Sequence, residues 1–214
     1  MKTFLTFCFS FFIIISVHAQ VFPSEVWHEG KAVLVNDDTL KGLIKYDIPG
    51  NTVQVKMENE QVLAYSAQKL FYFEIYDEGI KSYRHFYALP YKVGENYSVP
   101  HVFEVLYEGK LTLLCRERVA QMERDRQIRG NSLAGTMPND SRLILTFDFY
   151  FLEKDGTINL YEPKKRRLLS IMDRKYNEVK KYIKRNNLRY DHIRDLVRIT
   201  AYYNALEKES AALK

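Results

Sequence analysis

Cysteine is nearly missing. The 214-residue chain has two, Cys8 and Cys115, so no disulfide framework supports the fold. Long apolar runs are missing too, apart from the one at the start, so no later stretch is long enough to span a membrane. Histidines are few and isolated. None of His28, His85, His101 and His192 lies three to five residues from another histidine or a cysteine, so no local zinc signature exists. A Gly-x-Ser-x-Gly elbow is absent. Gly130 to Gly135 lacks the lysine and the strand-to-helix setting of a phosphate loop. These absences leave no cofactor to expect and no local catalytic signature. No internal repeat or low-complexity tract is visible.

What is present begins with an address. Lys2 supplies a positive charge, Thr3 to Val17 is an apolar run, and Val17-His18-Ala19 offers a cleavage site. Residues 1–19 therefore read as a signal peptide. The mature chain is expected in the periplasm or outside the cell. Cys8 lies inside the apolar run after Phe7, so it does not read as a lipidation site. Cys115 would remain the only thiol. It shares a strand face with Leu111 and Leu113 and reads as a small buried hydrophobe.

The rest of the chain divides by charge. Residues 20–162 carry 16 basic and 21 acidic side chains, whereas residues 163–214 carry 15 basic and 6 acidic. Periodicity changes at the same place. The first region alternates with period two between turn signals. Expected strands are Lys31–Val35, Leu40–Tyr46, Val53–Met57, Val62–Tyr65, Phe71–Tyr76, Tyr83–Leu89, Val102–Tyr107, Leu111–Arg116, Arg142–Leu152 and Thr157–Tyr161. About ten short antiparallel strands predict a mainly β body, a barrel or a sandwich. Arg116 to Gln127 could begin as a short helix, and the polar stretch Met122 to Ser141 reads as a long loop.

The second region has helical spacing. Pro163 suits a first helical position, and Asp173 and Asp191 suit helix caps. Leu168, Leu169 and Met172 form one apolar stripe. Tyr176, Val179 and Ile183 form a second, and Ile193, Leu196, Val197, Thr200 and Tyr203 a third. A basic tail of three short helices packed on the body is expected. Its runs Lys175–Lys184, KYNEVKKYIK, and Asp195–Asn204, DLVRITAYYN, resemble the C-terminus of small exported proteins of Gram-negative bacteria that pair a β-rich body with such a tail. That resemblance covers about a quarter of the chain. It implies export and an envelope setting, and it transfers no catalytic residue.

Two candidate surfaces follow. Lys164, Lys165, Arg166, Arg167, Lys180, Lys181, Lys184 and Arg185 form a basic set suited to an anionic surface. The competing reading is a solvated face on helices held by charge to the acidic body. Export argues against nucleic acid as the partner. Tyr72, Tyr76, Tyr83 and Tyr87 cluster on the middle hairpin and could form an aromatic interface with an envelope protein or a sugar. Asp148 is an acid within an apolar strand, and alternation places it facing water while Phe147, Phe149 and Phe151 face the core. The leading expectation is a non-enzymatic binding or structural module of the envelope. The alternative is a hydrolase of an envelope or extracellular polymer, using carboxylates assembled by the fold.

Overall fold

In the computed structural model, which describes residues 21–95, 97–122 and 142–212, ten strands build one antiparallel sheet. The expected signal peptide, residues 1–19, and the polar stretch from 123 to 141 lie outside the described residues. The strands are β1 (His28–Leu34), β2 (Thr39–Asp47), β3 (Thr52–Lys56), β4 (Val62–Ser66), β5 (Leu70–Asp77), β6 (Ser82–Lys92), β7 (Ser98–Tyr107), β8 (Thr112–Met122), β9 (Arg142–Leu152) and β10 (Ile158–Tyr161). Their spatial order is β10-β9-β8-β7-β6-β5-β1-β2-β3-β4. Two meanders are therefore joined where β1 pairs with β5. The sheet is not closed: among the described residues β4 and β10 are edges.

The sheet curls strongly. β2 and β6 are separated by β1 and β5, which in a flat sheet would put them about 14 Å apart, at about 4.8 Å per strand. Yet the rings of Tyr46 on β2 and Phe86 on β6 have centroids 5.1 Å apart. Ala32, Ile44, Val53, Val55, Phe73, Ile75 and Phe86 fill the inside of the curl and are at most 1% exposed. Gly30 and Gly42 face each other across β1 and β2. A Cβ on Gly30 would stand 2.1 Å from the Glu74 carbonyl oxygen, and one on Gly42 2.2 Å from that of Lys56. Glycine is what lets the strands turn so closely there.

Several local features depart from the period-two reading. Alternation in Phe71–Tyr76 puts Phe71 on the Phe73 face, but the ring is exposed. Register shifts between Val33, paired with Tyr72, and Leu34, paired with Leu70. Phe71 is the unpaired residue of that bulge, and it turns outward. β6 runs through Pro90, which lies opposite Pro100 of β7. Neither proline breaks a ladder on its other side, because β5 pairs with β6 only as far as Tyr87 and β8 meets β7 only over Glu104–Tyr107. Arg116 to Met122 is strand, not the start of a helix, because β8 and β9 pair continuously from Thr112↔Leu152 to Met122↔Arg142.

Beyond their short ladder, β7 and β8 separate, and the turn between β2 and β3 enters the gap. Asn51 Oδ1 accepts from the Val102 amide at 3.0 Å and from Arg116 Nη1 at 2.8 Å. Arg116 also donates to the carbonyls of Val102 and Ile48, at 2.8 Å and 2.7 Å. One guanidinium thus supplies three bonds that ribbon pairing does not make there.

The tail forms α1 (Lys165–Ile171), a 3₁₀ turn (Asp173–Lys175), α2 (Tyr176–Arg185) and α3 (Ile193–Ala212). Leu168, Leu169, Met172, Val179, Ile183, Leu196, Ile199 and Tyr203 are buried against Leu111, Leu113, Cys115, Phe149, Phe151 and Tyr161 of the sheet. Tyr176 departs from its stripe and is exposed, with the Lys180 ammonium over its ring at 5.4 Å. The expected starts shift as well. α1 begins two residues after Pro163, Asp173 lies within the 3₁₀ turn, and the Asp191 carboxylate takes the Arg189 guanidinium instead of capping a helix. At 20 residues, α3 is not short.

Candidate functional site

The sequence points to an attractive charge contact between body and tail, but the docking contacts are of another kind. The interface is apolar, with polar anchors at the β7–β8 turn and at β10, where the Tyr161 hydroxyl donates to the Tyr190 carbonyl at 3.1 Å. Asn204 of α3 accepts from the Leu111 amide at 3.0 Å and donates to the Leu111 carbonyl at 2.8 Å. Lys110 donates to Glu207 Oε2 at 2.7 Å. The sign of that ion pair is the reverse of the expected one: the body supplies the base and the tail the acid. Its hydrogen bond from Lys110 holds the Glu207 carboxyl below the ordinary carboxylate range, more than burial raises it.

The eight candidate basic residues therefore keep their charge for solvent. Lys164, Lys165, Arg166, Arg167, Lys180, Lys181, Lys184 and Arg185 are all exposed. Lys164 pairs with its neighbour Glu162 at 2.7 Å. Among the described residues, none of the eight pairs with a carboxylate of the strands. Helical geometry accounts for the segregation. Leu168 and Leu169 of α1, and Val179 and Ile183 of α2, point to the sheet, which leaves the intervening lysines and arginines outward. Arg194 and Arg198 of α3 are exposed as well.

The four candidate tyrosines come together on the outer face of β5 and β6. Tyr72 lies opposite Tyr87, and Tyr76 opposite Tyr83. The first pair is stacked with centroids 5.4 Å apart; the second is edge-on at 5.2 Å. Phe71, turned out by its bulge, stands edge-on to both Tyr72 and Tyr87, at 5.9 Å and 6.3 Å. Between the two tyrosine pairs, Glu74 meets Lys31 at 3.1 Å and His85 at 3.5 Å.

The inside of the curl holds a charged cluster that the sequence reading missed. Arg84 is 7% exposed. Its Nε and Nη2 donate to the two oxygens of Glu104 at 2.8 Å and 2.7 Å. Nη2 also donates to Glu117 at 2.9 Å, and Nη1 donates to the Tyr46 hydroxyl at 2.9 Å and to Asp77 at 3.3 Å. Burial works against the guanidinium's charge, but hydrogen bonds and charge from Glu104, with Tyr46 and Glu117 behind them, hold it protonated above its ordinary value. Burial raises the Tyr46 hydroxyl. The Cys115 thiol, fully buried as expected, lies 3.4 Å from Glu104 Oε2 and is pushed well up by burial and then by Glu104. Glu117 Oε1 is the one buried side-chain oxygen without a partner among the described residues.

Strand parity carried the signal for this cluster. Asp77 falls on the Phe73–Ile75 face, Arg84 on the Phe86 face, and Glu104 interrupts an apolar strand. Three of the carboxylates that the fold brings together, Asp77, Glu104 and Glu117, are committed to an internal arginine. Asp148 sits outside that group, half-exposed, with Arg118 Nε at 3.0 Å. Tyr150 falls on the same face as Asp148 by alternation, which would put it in water, but it is buried with Phe103 and Leu114, because this face of β7–β9 has its own small apolar cluster. Burial and then Tyr91 push its hydroxyl up to about 12.

The histidines are dispersed, and no group of three or more metal-ligating side chains occurs among the described residues. Among those residues, no helix is long and apolar enough to cross a membrane. No protein-family model, no curated protein and no solved structure matches the chain.

Proposed function

We propose that this protein is an exported, non-enzymatic binding module of the bacterial envelope, and that it engages a phosphate-bearing anionic surface through its helical layer. The observation that carries the reading is the outward placement of the eight basic side chains, none of which the docking of the helices consumes. An apolar seam secures the layer from beneath. The positive charge is therefore surplus to folding, and such surplus charge steers association with anions. The export segment at residues 1–19 and the resemblance of the tail to exported Gram-negative proteins support the setting.

The test is sedimentation with vesicles. Vesicles containing anionic phospholipid, and separately vesicles containing lipopolysaccharide, should retain the protein, while zwitterionic vesicles should not. Raising salt from about 0.1 M to about 1 M shortens the screening length from about 10 Å to about 3 Å, so retention should fall steeply. Replacing Lys180, Lys181, Lys184 and Arg185 by glutamine should weaken it at least about tenfold at unchanged melting temperature. Retention that ignores both salt and this variant would refute the reading.

A further inference from the structure

Two adjoining cavities lie along the curl: the first is on its outer face, and the second reaches the end of β5 at Asp77, the outermost member of the Arg84 cluster. One, of 540 Å³, crosses β3, β2, β1, β5 and β6 and is flanked by Lys41, Lys56, Glu58 and Tyr83. The other, of 530 Å³, continues past Val26 and Trp27 to Tyr76. They share Glu29 and Leu43, so together they make one elongated groove. The Gly30–Gly42 pair lines its first half, where a Cβ on either residue would meet a backbone carbonyl.

We propose that this groove binds an oligosaccharide, with sugar rings stacked on Tyr83, Tyr76 and Trp27. Three observations lead there. Aromatic side chains line both halves of the groove: Tyr83 the first, and Tyr76 and Trp27 the second, with Tyr83 and Tyr76 in edge contact at 5.2 Å. Tyr83 and Trp27 are 58% and 37% exposed, which leaves apolar ring surface for the C–H face of a sugar.

Charge is the second. The first half holds three lysines and four glutamates, and Lys31 is already tied to Glu74, and Lys56 to Glu60. The second half adds Asp77, tied to Arg84, and Glu78, tied to Lys81. With its charges so largely paired, the groove selects neither anion nor cation, but its remaining donors and acceptors, Lys41, Glu29 and Glu58, suit hydroxyl groups that can both give and take a hydrogen bond.

Pairing is the third. β1, β2, β3 and β5 each have a neighbour on both sides. A peptide laid in the groove therefore finds no free strand edge to bond by backbone addition. An uncharged chain of pyranose rings needs none. This site is separate from the helical layer, and its occupancy does not depend on the anionic surface proposed above.

Trp27 is the chain's only tryptophan, so its fluorescence reports on the groove directly. The full mature chain would be titrated with the β-1,4-linked tetramers of glucose and of N-acetylglucosamine, with an extended neutral peptide as the comparison. A saturable change in emission is expected with at least one sugar. Tyr83→Ala should weaken that binding at least about tenfold, and Glu29→Gln should weaken it as well. Phe71→Ala, which removes an exposed ring outside the groove, should leave it unchanged. No saturable change with either sugar, an equal response in Tyr83→Ala, or a response to the peptide alone would each overturn the proposal. Glutamine substitution of the helical lysines should not alter this titration, so the two sites can fail independently.

Discussion

Among the described residues, Arg84 makes more side-chain hydrogen bonds than any other charged group. Its five N–H groups are divided among three carboxylates and a hydroxyl. Removing it strands acids inside the curl, and breaking a buried pair costs about 3–5 kcal/mol. Arg84→Met should show a loss of that size in urea unfolding. Glu207 is a second residue with a clear expected outcome. Its folded carboxyl titrates below the ordinary value of 4.5, so its contribution is fully present above that value and is lost as pH falls through the folded one. Glu207→Gln should therefore lower the melting temperature at pH 7, and the gap from the parent should close on acidification. Cys115 is buried and its thiol is pushed up. A thiol reagent should consume it only as fast as the protein unfolds, because the reactive species is the exposed thiolate.

At the scale of elements, backbone exceptions shape the sheet. Gly42 has φ +153 and faces the Lys56 carbonyl too closely for a side chain. Gly42→Ala should cost about 1–3 kcal/mol, the usual range for forced backbone strain, which chemical denaturation would measure. The bulge at Phe71 is the other exception: it moves an aromatic ring from the core to the surface. Helix docking rests on a few fully buried side chains. Leu168 is 0% exposed at the seam between α1 and the sheet. Truncating such a leucine costs about 2–5 kcal/mol, and Leu168→Ala should appear in the same assay.

The molecule as a whole is a curled sheet with different coverings along it. β2 and β3 fold over β5 and β6 on the inside, and the helices cover β7 to β9 on the same face. Without residues 163–212, Leu111, Leu113, Phe149 and Phe151 would form an exposed apolar patch, the kind that drives association. A chain ending at Glu162 should therefore aggregate or elute as oligomers in size-exclusion chromatography, whereas the parent remains discrete.

Much of this architecture was legible in the chain. Alternation placed the strands, the change of period near Pro163 located the helices, and composition alone showed which region is basic. These are local properties, set by how a side chain repeats along a strand or helix. The Arg84 cluster was less legible, since strand parity marks Asp77 and Arg84 as core-facing without showing that they meet. Asn51 carried no local signal for its place between β7 and β8.

Local chemistry by itself determined most of the elements, their turns and the positive charge of the tail, whereas the strand from Arg116 to Met122 needed its partner β9. Tertiary structure decided the rest, because those outcomes depend on which distant strands come together. It curled the strands into an open sheet and gathered three acids about one arginine. It also docked the helices through apolar contacts, which left the basic side chains in solvent. Periodicity states which face of an element is apolar; only packing decides what that face meets.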